Sequence, residues 1–483
     1  MKISKLITIT CFVASIIFNA NIFAGDEILL RDFEQIPQDG KIKNVKLVDG
    51  VQGKAANFNG YTSEWEESGL NISSKTLFIQ AWIAPQQYSF NYDAVVYQAN
   101  DEWKGFSLGI NYQGKITGMI YADGKPQVCY SQEEVPLLKW SHIAMSWREG
   151  EGIELFLNGK SVGKLQFAGK AVFDAKNPLI IGHCPIKQLP RYMGNPQNKN
   201  VMRFHGLVDK LEITETIPDT AVLRQQIAST GKTGEQVLNF PDLPGKEIKQ
   251  GQFGAFYMRL KYGDDGWESL WRVDDYPDVV VRFPNTPVKF VFWRGTSYVP
   301  AIVSENNIWV TDQCLEIAGL GECYEALSDK QCRYSHVRII ENTPVRCVVH
   351  WRYAVSNVGN KIAWEDEHGW GEWADEYWTV YPDGIAVRKQ ILHSSVCKPD
   401  YTPYEFDEIL PLNAAGTRNE DNLELEAVTF ADMDGNTAAY SWENSPPKNF
   451  SKTKYQPIEM INIKAKYKPF FIFEPQRIAA PWT

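Results

Sequence analysis

Along the first half of this chain, apolar and polar residues alternate over short runs broken by turn residues. TLFIQAWIAP (76–85), AVVYQA (94–99), FSLGINYQGKITGMIYADG (106–124), WSHIAMSWREGEGIELFLNGKSVG (140–163) and PLIIGHCP (178–185) all follow this pattern. A period of two is that of a strand, whose successive side chains point to opposite faces. Asn158-Gly159 between two such runs predicts a tight hairpin. Helical periodicity is nearly absent, so the expected architecture is an antiparallel β-sandwich. One helix stands out, PDTAVLRQQIAST (218–230), with Asp219 or Thr220 as its cap. The Gly-, Pro- and Lys-rich stretch 231–251 then reads as a linker.

From Gly251 the pattern is β again, in VVVRF, VKFVFW, SHVRII, RCVVHWRYAV, EYWTVYPDGIAVRKQIL and LELEAVTFADMDGNTAAYSW. Long, numerous strands predict a large antiparallel sandwich over 251–483. Alternation sorts the side chains of RYSHVRIIENTPVRCVVHWRY (333–353). Tyr334, His336 and Arg338 fall on one face of the first strand. Arg346, His350 and Arg352 share one face of the second, with Cys347, Val349, Trp351 and Tyr353 on the other. Whether the two polar faces coincide depends on the turn near 341–344. An even loop sets His336 opposite Val349 and an odd loop sets it opposite His350, because a one-residue slip reverses the face.

The N-terminus MKISKLITITCFVASIIFNANIFAGDE has Lys2 and Lys5 before an apolar run and small residues at Ala20 and Ala24. It reads as a secretory signal peptide over 1–24, which places the protein in the periplasm, at the cell surface or outside the cell. No later segment has the length and apolarity of a membrane span. The formal net charge of −10, more negative once the two leader lysines are removed, argues against nucleic acid as partner. It leaves an anionic substrate open, because a site is a local matter. Of 8 cysteines, Cys11 lies in the leader, leaving an odd number without metal-site spacing. Cys314, Cys323 and Cys332 are close enough in sequence for one disulfide among them.

Two constellations carry candidate chemistry. Tyr, His and Arg together suit removal of the proton beside a carboxylate, as in β-elimination of a uronic acid. An arginine neutralises the carboxylate bidentately, and a histidine or tyrosine takes the proton and returns one to the leaving oxygen. The candidates are His336, Tyr334, His350 and Tyr377 for proton transfer, with Arg294, Arg338, Arg352 and Arg333 for the carboxylate. Nine of the 16 Trp fall between 267 and 378, which makes Trp293, Trp351 and Trp373 candidate platforms for sugar rings. The second constellation, WEDEHGWGEWADEYW (364–378), places carboxylates Glu365, Asp366, Glu367, Glu372, Asp375 and Glu376 among tryptophans, the equipment of a glycoside hydrolase. YGDDGWESLWRVDDYPD (262–278) offers acidic oxygens without EF-hand spacing. Calcium is therefore the candidate cofactor, with no ligand set assigned. No P-loop, HExxH or GxGxxG-helix pattern occurs.

GVQGKAANFNG (50–60), FIQAWIAP, WSHIAMSW…IELFLNGKSVG and LIIGHCP…FHGLVDKLEI (179–213) resemble, in order, the strands of laminin-G-like, concanavalin A-like jelly-roll domains. This implies such a domain over 25–216, followed by helix and linker (217–250) and a β-rich stretch (251–483) expected to be the catalytic module. That stretch resembles ulvan lyases of polysaccharide lyase family 40. The resemblance implies β-elimination on a sulfated rhamnose–uronic acid polymer, and relatives longer than this chain, so a fragment lacking C-terminal site residues is expected. A hydrolase using 365–376 and a non-catalytic glycan-binding surface protein are the alternative readings.

Overall fold

The computed structural model describes residues 27–38, 40–100, 104–185, 202–237, 241–244, 251–260, 276–311, 314–317, 320–366, 369–395, 404–405, 409–450 and 452–475. The predicted leader and the acidic aromatic loop up to Asp275 lie outside the described residues.

The chain is nearly all β, with strands paired antiparallel. An eight-stranded and a seven-stranded sheet form a jelly roll. The centre of the first sheet is Thr76–Pro85, flanked by Ser141–Arg148 and His205–Thr214. The centre of the second includes Tyr92–Ala99, Gly105–Asn111 and Lys115–Ala122. Trp65, Phe106, Trp147 and Leu155 fill the space between them. Asn158 and Gly159 both take positive φ (51° and 75°), joining Leu157 to its partner Lys160 in the predicted hairpin. The predicted helix spans Thr220–Thr230. Asp219 caps it by accepting from the Ala221 N–H, and Gly231 closes it in the left-handed conformation. Its Leu223 and Ile227 cover the outer face of the eight-stranded sheet against Phe78, Trp82 and Trp140.

After residue 251 come a five-stranded sheet beginning at Gly254–Met258, a short three-stranded sheet, and a four-stranded sheet. The last runs in chain order through His336–Asn342, Cys347–Ala354, Trp373–Val380 and Ala386–His393. One of its faces packs Val337, Val349, Trp351, Tyr353 and Trp378 into a core shared with Val279, Phe292 and Tyr298. Its other face meets the jelly roll. Tyr334, Ala354 and Trp373 join the jelly-roll core itself, and Phe90 stacks near Trp373 with centroids 4.7 Å apart. Residues 407–483 form a separate compact unit, a four-stranded sheet with its own small core of Val428, Phe430, Tyr440 and Ile461.

The disulfide expectation is corrected. Among the described residues no disulfide joins Cys314, Cys323 and Cys332, nor Cys129, Cys184 and Cys347. Cys332 donates to the Arg294 carbonyl, while Cys314 and Cys323 both turn to the Glu325 carboxylate. Among the described residues, Cys314, Glu316 and Glu325 bring three ligand-type atoms within 4.8 Å. A thiol in that set does not suit calcium, which takes oxygen ligands.

Candidate functional site

The hairpin register is the first thing the site depends on. Asn342 pairs with Cys347 around a four-residue turn, and Ile339 pairs with Val349 beyond a bulge between Ile339 and Glu341. The even turn alone would separate the two polar faces. The extra residue of the bulge reverses alternation once more, so His336 lies opposite Arg352 and Arg338 opposite His350. Neither pairing weighed from sequence is the observed one, yet the two polar faces coincide.

The pairing continues across the sheet in rows. One row reads Arg338, His350, Tyr377, Lys389, and the next reads His336, Arg352, Asp375, Ile391. Side chains in a row stand about 4.5–5.5 Å from their neighbours at Cβ. Within the second row His336, Arg352 and Asp375 are buried, as is His350 in the first. Arg338 and Tyr377 keep partial exposure, and Lys389 is exposed.

Asp375 is the hub. It accepts from His350 Nε2 at 2.7 Å, from Arg352 Nε and Nη2 at 2.7 and 3.0 Å, and from His393 Nε2 at 2.9 Å. Burial pushes its carboxyl up, but Arg352 and the two imidazole N–H donors outweigh that and hold it well below the usual range. Because Arg338 Nε donates to His350 Nδ1 at 3.0 Å, His350 is the neutral tautomer carrying its proton on Nε2. Burial lowers its pKa to about 4.

The jelly roll supplies the ceiling, and none of its residues was singled out from sequence. Tyr61 lies against both guanidiniums, with Arg338 Cζ 3.6 Å and Arg352 Cζ 4.5 Å from the ring centroid. Its hydroxyl is 3.3 Å from His336 Nδ1 and 3.4 Å from Gln87 Oε1. Gln87 also accepts from His205 Nδ1 at 3.2 Å and donates to the Tyr334 carbonyl at 2.5 Å. His205 and Tyr276 flank His336, each with centroids 4.3 Å away. Gly60 turns the chain into Tyr61 at φ 71°, and a Cβ there would lie 2.6 Å from that of His205. Burial lowers the His205 pKa to about 3 and raises that of Tyr61 to about 12. Tyr61 lies far from the hairpin in sequence, and no local pattern marks it.

The expectations for five residues are corrected here. Tyr334 is outside the cluster: its ring packs on Trp373 and its hydroxyl donates to the Asn360 carbonyl at 2.8 Å. Arg294, at 0% exposure, is consumed by Asp278 through an Nη1–Oδ2 contact of 2.6 Å. Arg333 instead ties the chain to the jelly roll through Glu134 at 3.0 Å and lies over Tyr88. Trp351 and Trp373 are core residues, at 0% and 1% exposure. Trp351 stacks on Tyr353 on the face turned away from the cluster, so neither indole can meet a sugar. Trp293 stays partly exposed beside Trp309, 5.4 Å between centroids. The structure thus brings together His336, Arg338, His350, Arg352 and Tyr377.

The carboxylates of 365–376 are tied into local networks. Glu372 accepts from Ser394, Ser395 and Tyr404. Glu376 accepts from Tyr353, Trp378, Arg388 and Gln390. Glu365 meets the Tyr112 hydroxyl, and Asp366 accepts from the Trp370 N–H at 3.0 Å. Glu367 lies outside the described residues.

The buried imidazoles make stability depend on pH. An unfolded histidine binds its proton near 6.5, whereas folded His350 binds it near 4 and His205 near 3. The unfolded chain therefore holds more protons as pH falls from 6.5 toward 4, and stability drops through that window. The melting temperature should fall between pH 6.5 and pH 4.5, and the fall should be shallower in His205→Gln. Parallel curves for the two proteins would contradict this assignment.

Among the described residues no helix is long and apolar enough to cross a membrane. No curated protein matches the sequence. Among solved structures, domain 4 of AbnA, an extracellular GH43 arabinanase of Geobacillus stearothermophilus solved with arabinotriose, superposes with a TM-score of 0.32 at 17% identity. That overlap covers 42% of this chain and 98% of the other. A SAP-like pentraxin from Limulus polyphemus gives 0.28 at 15% identity, covering 37% and 82%. The binding domain of botulinum neurotoxin serotype C1 gives 0.32 at 10% identity, covering 76% and 93%. Residues 59–216, which include Tyr61, Gln87 and His205, match the concanavalin A-like lectin/glucanases superfamily in its laminin G form.

Proposed function

We propose that the protein is a secreted polysaccharide lyase that cleaves a uronic-acid-containing glycan by β-elimination at the Arg338–Tyr377 face. The observation that carries this reading is the division of the cluster. Arg338 and Tyr377 have solvent access, while His336, His350, Arg352 and Asp375 are buried behind them. Arg338 spends its Nε on His350. Among the described residues its two Nη groups and the Tyr377 hydroxyl have no hydrogen-bond partner. An unbonded guanidinium edge matches a carboxylate bidentately, and a phenol in the same row is placed to move a proton.

In this reading Arg338 neutralises the uronate and Tyr377, as phenolate, takes the C5 proton. The C4–O bond breaks as the C4=C5 bond forms, and the same hydroxyl returns its proton to the leaving oxygen. The ring of His350 stacks on Tyr377 at 4.5 Å and 12° and fixes its plane. Burial, then the Asp375 charge, raise the Tyr377 pKa, against the pull of Arg352 and Arg338. The phenolate fraction grows with pH, so turnover should climb through the alkaline range. The resemblance to ulvan lyases makes ulvan the first polymer to try.

Incubation with ulvan, alginate and glycosaminoglycans should produce unsaturated ends absorbing near ~235 nm, the chromophore left by proton abstraction. Tyr377→Phe should abolish that signal. New reducing ends without the chromophore would replace this reading with a hydrolase. Glycan retention without any turnover would replace it with a binding protein.

A further inference from the structure

We infer that Tyr61 of the jelly roll is a positioning residue for this site, so that the lectin-like domain is part of the reactive machinery rather than an appended binding module. The inference rests on the reading of Arg338 as the carboxylate clamp.

The geometry points to it in three ways. First, among the described residues Arg338 makes two contacts with defined direction: its Nε bond to His350 Nδ1 at 3.0 Å and the face of Tyr61, 3.6 Å from Cζ. The bond fixes one edge of the guanidinium, and the ring fixes its plane. Together they leave both Nη groups without a hydrogen-bond partner among the described residues. An arginine otherwise has several rotatable bonds, and fixing it beforehand removes the ordering cost from substrate binding. Second, Tyr61 is itself braced. Its ring meets His350 edge-on at 4.9 Å, and its hydroxyl reaches His336 Nδ1 and Gln87 Oε1. Gln87 is in turn anchored to the Tyr334 carbonyl just before the hairpin. The brace therefore links the jelly roll to the stretch that opens the four-stranded sheet. Third, the chain admits no side chain at Gly60, where the turn delivers Tyr61 against His205.

The ring and the hydroxyl have separable duties. The ring carries the cation–π contact, worth more where water is excluded, and the hydroxyl carries the brace. Tyr61→Phe keeps the ring, and Tyr61→Leu removes it while keeping the site apolar.

The experiment measures KM and kcat on the polymer cleaved, the alkaline limb of the pH profile, and titration of the same polymer into each protein by calorimetry. Tyr61→Leu should raise KM and weaken binding by on the order of tenfold. Its kcat limb, governed by Tyr377, should stay where it is in wild type. Tyr61→Phe should restore binding to within about twofold of wild type. Equal affinity of wild type and Tyr61→Leu would overturn the inference while leaving the lyase reading intact. So would equal loss in Phe and Leu with a matching fall in melting temperature, which would mark a purely structural role. Polymer binding that shows this Tyr61 dependence without turnover would retain the positioning role and overturn the lyase reading. Absence of any acidic-glycan binding by wild type would overturn both.

Discussion

Asp375→Asn is expected to destabilise the protein by about 3–5 kcal/mol, the usual result of breaking one side of a buried ion pair. The substitution barely changes volume, so the effect is electrostatic. Arg352 is 1% exposed and has its Nε and Nη2 on the Asp375 carboxylate. Asparagine leaves that guanidinium without a counter-charge beneath Tyr61 and Phe90, whose ring faces offer only weak compensation. It also presents an amide where His350 and His393 each need an acceptor. Urea unfolding followed by tryptophan fluorescence measures the change. A midpoint close to wild type would show that the hub is not what holds the four-stranded sheet against the jelly roll. Loss of activity in this variant is therefore expected without Asp375 acting as an acid or base. Its four incoming hydrogen bonds occupy the acceptor sites a carboxylate offers.

Arg338→Lys is expected to reduce kcat/KM on a uronate polymer by roughly 100- to 1000-fold, the scale of losing one electrostatic contact to a developing anion. Lysine keeps the charge but loses the planar fork, and with it both the bidentate grip and the stacking on Tyr61. The partial exposure of Arg338 lets the ammonium reach water, so the fold should tolerate the change. The check is initial-rate measurement of unsaturated product alongside a melting curve. Near-wild-type kinetics would remove Arg338 from the mechanism and with it the division between exposed actors and buried supports.

Much of the secondary structure was readable from residue pattern. Alternation marks the long jelly-roll strands, Asn158-Gly159 marks a hairpin, and Asp219 and Gly231 bracket the helix. These are local rules: side-chain direction, turn conformation and cap chemistry act within a few residues. Alternation also separated His350 and Arg352 from Trp351 and Tyr353 on the second strand. That separation survives as cluster on one side and core on the other. The tryptophans misled because an indole suited to a sugar ring is equally suited to a core. Only the packing of Trp351 over Tyr353 and of Trp373 under Phe90 separates the two uses.

The sequence by itself determined the β architecture and, strand by strand, the polar faces that carry His336 with Arg338 and His350 with Arg352, because each follows from neighbours along the chain. The tertiary structure alone decided that the stripes of two strands coincide, since one bulged residue near Ile340 reverses every side chain after it. It also decided that Tyr61, Gln87 and His205 cover them, and that Arg294 belongs to Asp278. Those outcomes depend on which surfaces meet when two sheets pack, and charge pairing and ring contact between distant segments leave no periodic trace in the chain.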